Sequence, residues 1–156
     1  MTFDIFKGKD VNDICPFKTQ SMKRIFISGG VTGLVLVIFS IVALYSTIWL
    51  LPGIAIEYYD SAFRSNGRGA VLYYIHPFIL SLALAWFWER FKGVFTGNYV
   101  MRGIEFGLVY LIVSTLPAMW MIYSAMSVTL VIVLTWLAYG FIQAVIAGLI
   151  FERLNP

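Results

Sequence analysis

The chain is poor in the side chains on which most catalytic and metal sites depend. It has one cysteine, Cys15, and one histidine, His76, among 156 residues. One cysteine excludes an internal disulfide and an all-cysteine metal site, and one histidine excludes bis-histidine haem ligation within the chain. The sequence also has no Cys-x-x-Cys motif, no glycine-rich phosphate loop and no pair of acidic residues inside an apolar run. We therefore expect a non-catalytic protein without a metal or a cofactor.

Charged residues are scarce as well. They make up 12% of the chain, whereas soluble domains carry roughly 25%. Hydrophobic residues reach 60%, and the mean hydropathy is +0.85. This composition is typical of a membrane protein. The formal net charge of +3 comes from basic residues outside the apolar runs, so it does not indicate nucleic-acid binding.

Four apolar runs follow one another along the chain, and they cover residues 25–51, 70–88, 104–123 and 128–151. Each run has about the 20 residues that a helix needs to cross roughly 30 Å of hydrocarbon. The first run is too long for a signal peptide and should remain as a span. The predicted fold is all-α, with four transmembrane helices in an antiparallel bundle over residues 25–152. A polar cytoplasmic segment, residues 1–24, precedes the bundle.

The basic residues predict the orientation of the bundle. Nine of the eleven lysines and arginines fall on one predicted side: five precede the first run, three separate the second and third runs, and Arg153 follows the fourth. Basic loops stay in the cytoplasm, so both termini should be cytoplasmic. The loop of residues 53–69 should then lie outside, where a short interfacial helix is expected. The short uncharged turn at residues 124–127 predicts a hairpin between the last two runs.

A polar layer is predicted in the outer half of the membrane. Counting a helical rise of about 1.5 Å per residue places His76 roughly 9 Å below the outer surface. Four other polar side chains have similar predicted depths: Tyr45, Ser46, Thr115 and Thr135. Pro77 and Pro117 cannot donate backbone hydrogen bonds, which should release two carbonyl groups nearby. Either these groups satisfy one another or they form a ligand-binding outer cavity.

Small residues and one amide predict where the helices associate. Gly103 and Gly107 are four residues apart in the third run, and Ala144 and Gly148 repeat this spacing in the fourth. Helices in lipid associate through such close backbone approach, either within one chain or between copies. Gln143 precedes the second pair, and an amide inside a span usually bonds across helices, within the bundle or to a partner.

The chain resembles a family of simple membrane proteins in four respects. It has four spans, a Tyr45-Ser46-x-x-Trp49 stretch that ends the first run, a glycine-bearing start of the third run and a short hairpin after it. These features resemble the small four-span bacterial inner-membrane proteins that are classed as domains of unknown function. The resemblance covers about residues 25–152. It implies an inner-membrane location, no assigned activity and no catalytic residues.

Two functions are left open. The first is that of a structural or accessory subunit of a larger membrane complex, for which the polar N-terminal segment and Gln143 would supply contacts. Its partners would be the lipid bilayer and other membrane subunits or copies of itself, without nucleic acid. The alternative is a small-molecule or lipid-binding protein, or a small transporter acting as an oligomer, that uses the outer layer around His76. Four short spans enclose little volume, which disfavours transport by a monomer.

Overall fold

The computed structural model describes residues 11–57 and 67–156. Every regular element within these ranges is helical. The elements are α1 (Val11–Leu50), α2 (Pro52–Glu57), α3 (Gly67–Phe91), α4 (Tyr99–Tyr110), a π-helical turn (Leu111–Thr115), α5 (Leu116–Ala125) and α6 (Leu130–Leu154).

Four helical stretches are long and apolar enough to cross a membrane. They are Met22–Leu50, Val71–Phe91, Tyr99–Ala125, which joins α4, the π-helical turn and α5, and Leu130–Leu154. At most 39% of the most apolar part of any stretch is buried inside the chain. Large apolar side chains such as Trp49, Trp120 and Met121 are exposed instead. Such a surface is suited to lipid, and the chain is a multi-pass membrane protein with a helix-bundle fold.

The first helix is longer than the apolar run that predicted it. α1 begins at Val11, so it includes the second half of the polar segment expected over residues 1–24. The first ten residues of that segment lie outside the described part of the chain. The same holds for residues 58–66 of the predicted outer loop, whose start forms the short helix α2. The cytoplasmic location of the N-terminal segment stays a prediction.

α1 and α3 pack closely through glycines. A Cβ atom added to Gly29 would lie 2.8 Å from Leu82, and one added to Gly33 would lie 2.7 Å from Phe78. Only glycine allows the two helices to approach this closely. Further along α1, the hydroxyl of Tyr73 donates to the carbonyl of Ser40 at 3.2 Å.

α4 and α6 pack in the same way. A Cβ atom added to Gly148 would lie 3.1 Å from the Cα of Gly103, and one added to Gly107 would overlap Val145. Ala144 is fully buried beside this contact. The small residues that were predicted to mediate packing or self-association therefore lie between two helices of the same chain.

An aromatic cluster closes one end of the bundle. Trp88, Phe95, Phe106 and Phe151 are buried, and the centroids of their neighbouring rings are 5.3–6.2 Å apart. They come from α3, the connection after it, α4 and α6. In contrast, α5, near the other end, contributes no buried residue. The bundle is therefore packed more tightly at the aromatic end.

The third span changes its hydrogen bonding near its middle. The N–H of Leu116 bonds to the carbonyl of Leu111, which gives the wider π-helical turn. Pro117 follows directly and has no N–H to donate to Val113. The carbonyl that was predicted to be released by Pro117 thus belongs to this widened turn.

Candidate functional site

The five residues of the predicted outer layer do not form one cluster. Tyr45, Ser46 and His76 are exposed, whereas Thr115 is buried against α6. The hydroxyl of Thr135 donates to a carbonyl of its own helix at 2.8 Å. Among the described residues, no hydrogen bond joins any two members of this layer.

The register of α1 against α3 explains why the layer is not assembled. The predicted depths assume that residue 51 at the end of the first span and residue 70 at the start of the second lie at the same level. In the structure, Ser40 lies beside Tyr73 and Gly33 lies beside Phe78. This register differs from the assumed one by about eight residues, or about 12 Å at the helical rise. Tyr45 and Ser46 therefore lie about two turns further along the bundle than His76.

A different set of polar side chains joins three helices inside the bundle. The amide of Gln143 donates to the hydroxyl of Tyr139 at 2.9 Å, and this hydroxyl donates to Ser40 Oγ at 2.6 Å. Ser40 Oγ donates in turn to the carbonyl of Leu36 at 2.6 Å. Tyr73 connects α3 through the carbonyl of Ser40. We call Ser40, Tyr73, Tyr139 and Gln143 the inner polar cluster.

The inner polar cluster is arranged for stability within the chain. Its hydrogen bonds run from a side-chain amide to a backbone carbonyl, and Gln143 and Ser40 are each 1% exposed. Unpaired polar groups are costly in hydrocarbon, so these bonds hold α1, α3 and α6 together. The sequence predicts that Gln143 bonds either within the bundle or to a partner protein. In the structure, its amide bonds within the bundle.

Sequence reasoning did not single out Ser40 or Tyr73. The available signal is a four-residue spacing: Tyr139 and Gln143 are neighbours on one face of α6, and Ser28, Thr32 and Ser40 share one face of α1. All three α1 hydroxyls are buried. A search for periodic hydroxyls would have identified this face.

An open groove of about 520 Å³ lies between α1 and α6, beside the inner polar cluster. Its lining is mostly apolar and consists of Phe39, Ala43, Ser46, Thr47, Val131, Leu134, Thr135, Ala138, Tyr139 and Ile142. Ser46 and Thr135, two members of the predicted outer layer, therefore share one surface. We call this surface the α1–α6 groove.

A charged network covers the aromatic end of the bundle. Arg102 pairs with Glu152, donates to the carbonyl of Lys92 at 2.8 Å and lies 5.5 Å over the ring of Trp88. The ammonium group of Lys92 donates to Asn155 Oδ1 at 2.9 Å, and Trp88 Nε1 donates to the carbonyl of Asn155 at 3.0 Å. These contacts connect α3, α4 and the end of α6.

The charged network is also best explained as a structural feature. The side chains of Arg102 and Glu152 are only 18% and 12% exposed, so either charge would be poorly solvated without the other. In the part of the chain that the structure describes, no three histidine, cysteine or acidic residues are grouped as metal ligands. The arrangement holds helices together and offers no evident reaction centre.

Comparison of the chain with protein-family models, with curated proteins and with solved structures finds no match. The resemblance to four-span bacterial membrane proteins therefore adds no activity and no site residue.

Proposed function

We propose that the chain is a non-catalytic membrane protein that serves as a structural or accessory subunit of a larger membrane complex. The observation that carries this proposal is the outward position of His76. Its side chain is exposed within a span, and no hydrogen bond joins it to another described residue. Ionisable residues in transmembrane helices nearly always face protein or a water-filled cavity. We therefore expect a partner protein to cover His76.

The surroundings of His76 favour a protein over lipid at this position. Leu72, Ile75 and Ile79 lie within four residues of His76 on α3, and all are exposed. A partner helix can pack on these apolar side chains and still offer the imidazole a hydrogen bond. The acyl region of a lipid offers the apolar contact alone.

We further propose that the four spans are antiparallel and that both termini are cytoplasmic. In support, contacts pair the start of the first span with the end of α3, and the start of α4 with the end of α6. Lys92, Arg102 and Arg153 gather at one end, which the positive-inside tendency directs to the cytoplasm. The resemblance to bacterial proteins suggests the inner membrane.

The second candidate function is that of a small-molecule or lipid-binding protein, or of an oligomeric small transporter. One observation favours ligand binding: Ser46 and Thr135 line the α1–α6 groove. His76 does not line this groove. The candidate ligand site is therefore the groove and not a layer around the histidine.

Site-specific photocrosslinking tests the accessory role. A benzoylphenylalanine at position 76 should give a discrete protein adduct on irradiation in native membranes, because a partner helix packs there. The control is the same substitution at Ile38, which is exposed on α1 at a similar depth, since Gly33 contacts Phe78 and Ser40 contacts Tyr73. Mass spectrometry identifies the adduct, and twice the mass of the chain would indicate a second copy. Lipid adducts alone at both positions would contradict the proposal.

A further inference from the structure

We infer that the α1–α6 groove binds the acyl chain of a membrane lipid, with the ester group of the lipid at the hydroxyl of Ser46. Ser46 lines the groove together with Thr47 and Thr135. The inference rests on the second candidate function and names its ligand class. It does not depend on a partner protein at His76.

The hydroxyl groups that line the groove lie at one level. Ser46 and Thr47 lie within about 6 Å of the end of α1, and Thr135 lies about 7.5 Å from the start of α6. Apolar side chains lie on both sides of this level, with Val131 nearer the start of α6 and with Phe39 and Ile142 deeper. A molecule with one polar end and a long apolar part can place its polar end at the hydroxyls and its apolar part along Phe39 and Ile142.

The shape of the groove is suited to an acyl chain. The α1 residues that line it extend from Phe39 to Thr47, a length of about 12 Å. A helix with its side chains is 10–12 Å wide. An unbranched acyl chain is thinner and flexible, so it can follow the apolar lining between α1 and α6 along this length.

One of the three hydroxyls can donate to the ester region of a lipid. Thr47 and Thr135 each donate to a carbonyl of their own helix at 2.8 Å, so neither has a proton left for an ester carbonyl, which only accepts. Ser46 is exposed and takes part in none of the hydrogen bonds between described residues, so it can donate to an ester carbonyl. The groove thus presents one free donor at the level of Thr47 and Thr135, with apolar side chains below it.

Photolabelling with a lipid tests this inference. The purified chain is placed in phosphatidylcholine vesicles that contain a small fraction of phosphatidylcholine with a diazirine midway along one acyl chain. After irradiation, mass spectrometry locates the labelled residues. We expect labelling of residues 39–43 and 138–142 to exceed, severalfold, that of residues 112–114, which are exposed on the third span. Equal labelling of these segments would overturn the inference.

Groove-filling variants provide the matched comparison. Ala43→Leu and Ala138→Leu place extra atoms in the groove and should reduce its labelling to the level of residues 112–114. Ala118→Leu makes the same change at an exposed position on α5 and should leave groove labelling unchanged. Unchanged labelling in both groove variants would overturn the inference. If a variant does not fold, the comparison of the two groove segments with residues 112–114 in the unaltered chain still tests it.

The polar end of the ligand is tested with a second probe. A diazirine-bearing alkane of the same length has no ester group, so it should label the groove severalfold less than the phospholipid. Equal labelling by the alkane would overturn the role assigned to the hydroxyl of Ser46. Both probes are used with purified chain and lipid alone, so this result is separate from crosslinking to a partner at position 76.

Discussion

Ser40 joins α1 to two neighbouring helices. Its carbonyl accepts a hydrogen bond from Tyr73 of α3, and its hydroxyl accepts from Tyr139 and Gln143 of α6. The same hydroxyl donates to the carbonyl of Leu36, so both its donor and its acceptor functions are used. No water is available in the hydrocarbon to replace these partners. The side chain at position 40 should therefore matter more than any exposed hydroxyl of the same span.

Ser40→Ala should lower the stability of the bundle by about 1 kcal/mol, because interhelical hydrogen bonds in membranes average about 0.6 and reach about 1.7 kcal/mol. Unfolding in mixed detergent micelles measures this loss. Ser114→Ala is the control, since Ser114 is exposed on the third span and forms no hydrogen bond with another described residue. A double-mutant cycle with Tyr139→Phe should show coupling. Strictly additive effects of Ser40→Ala and Tyr139→Phe would contradict the arrangement.

The contrast between Gln143 and His76 shows what the sequence can predict at the residue scale. A buried amide inside a span needs hydrogen bonds, and Gln143 donates to Tyr139 of its own helix and to Ser40 of α1. The bond to Ser40 depends on the register of α1 against α6, and no local pattern encodes that register. The register of α1 against α3 likewise decides the neighbours of His76. Tyr45 and Ser46 were predicted at its depth by counting residues from assumed helix ends, and the structure places them elsewhere.

At the scale of elements, glycines decide how closely α4 and α6 approach. A Cβ atom added to Gly107 would lie 3.2 Å from the backbone N of Val145. Gly30, on α1, has no atom within 4 Å of the corresponding position. The two glycines provide a matched pair, because both lie inside spanning helices and only one is at a helix contact.

Gly107→Ala should destabilise the bundle by about 1–3 kcal/mol, since the added methyl group forces α4 and α6 apart. Gly30→Ala should be neutral or slightly stabilising, because alanine has the higher helix propensity and nothing obstructs it. Thermal unfolding of the two purified variants measures the difference. Equal stability of the variants would show that the close α4–α6 contact does not exist as described.

Local composition predicts the spans well and their irregularities poorly. Length and apolarity along the chain suffice to locate four spanning helices, and the four apolar runs overlap them. The start of α1 at Val11 and the π-helical turn in the third span were not predicted. The sequence predicts that Pro117 releases the carbonyl of Val113, but the wider hydrogen bonding just before this proline depends on packing that the sequence pattern does not show.

The whole molecule is packed unevenly along its length. The aromatic cluster and the charged network close one end, where Trp88, Arg102 and Glu152 connect three helices. Towards the other end, α5 has no buried residue and the α1–α6 groove is open. The proposed lipid therefore occupies the loosely packed part of the bundle, while the tightly packed end fixes the arrangement of the spans.

The central claim is that the chain crosses the membrane four times with its aromatic, charged end in the cytoplasm. Gly93, in the connection after α3, and Ser124, near the end of α5, are exposed at opposite ends of the bundle. Gly93→Cys and Ser124→Cys, each introduced singly with Cys15→Ser, provide one reactive thiol for a membrane-impermeant maleimide. In intact cells we predict labelling at position 124 alone, with labelling at position 93 only after lysis. The reverse pattern would contradict the orientation, and labelling of both positions in intact cells would contradict the four-span arrangement.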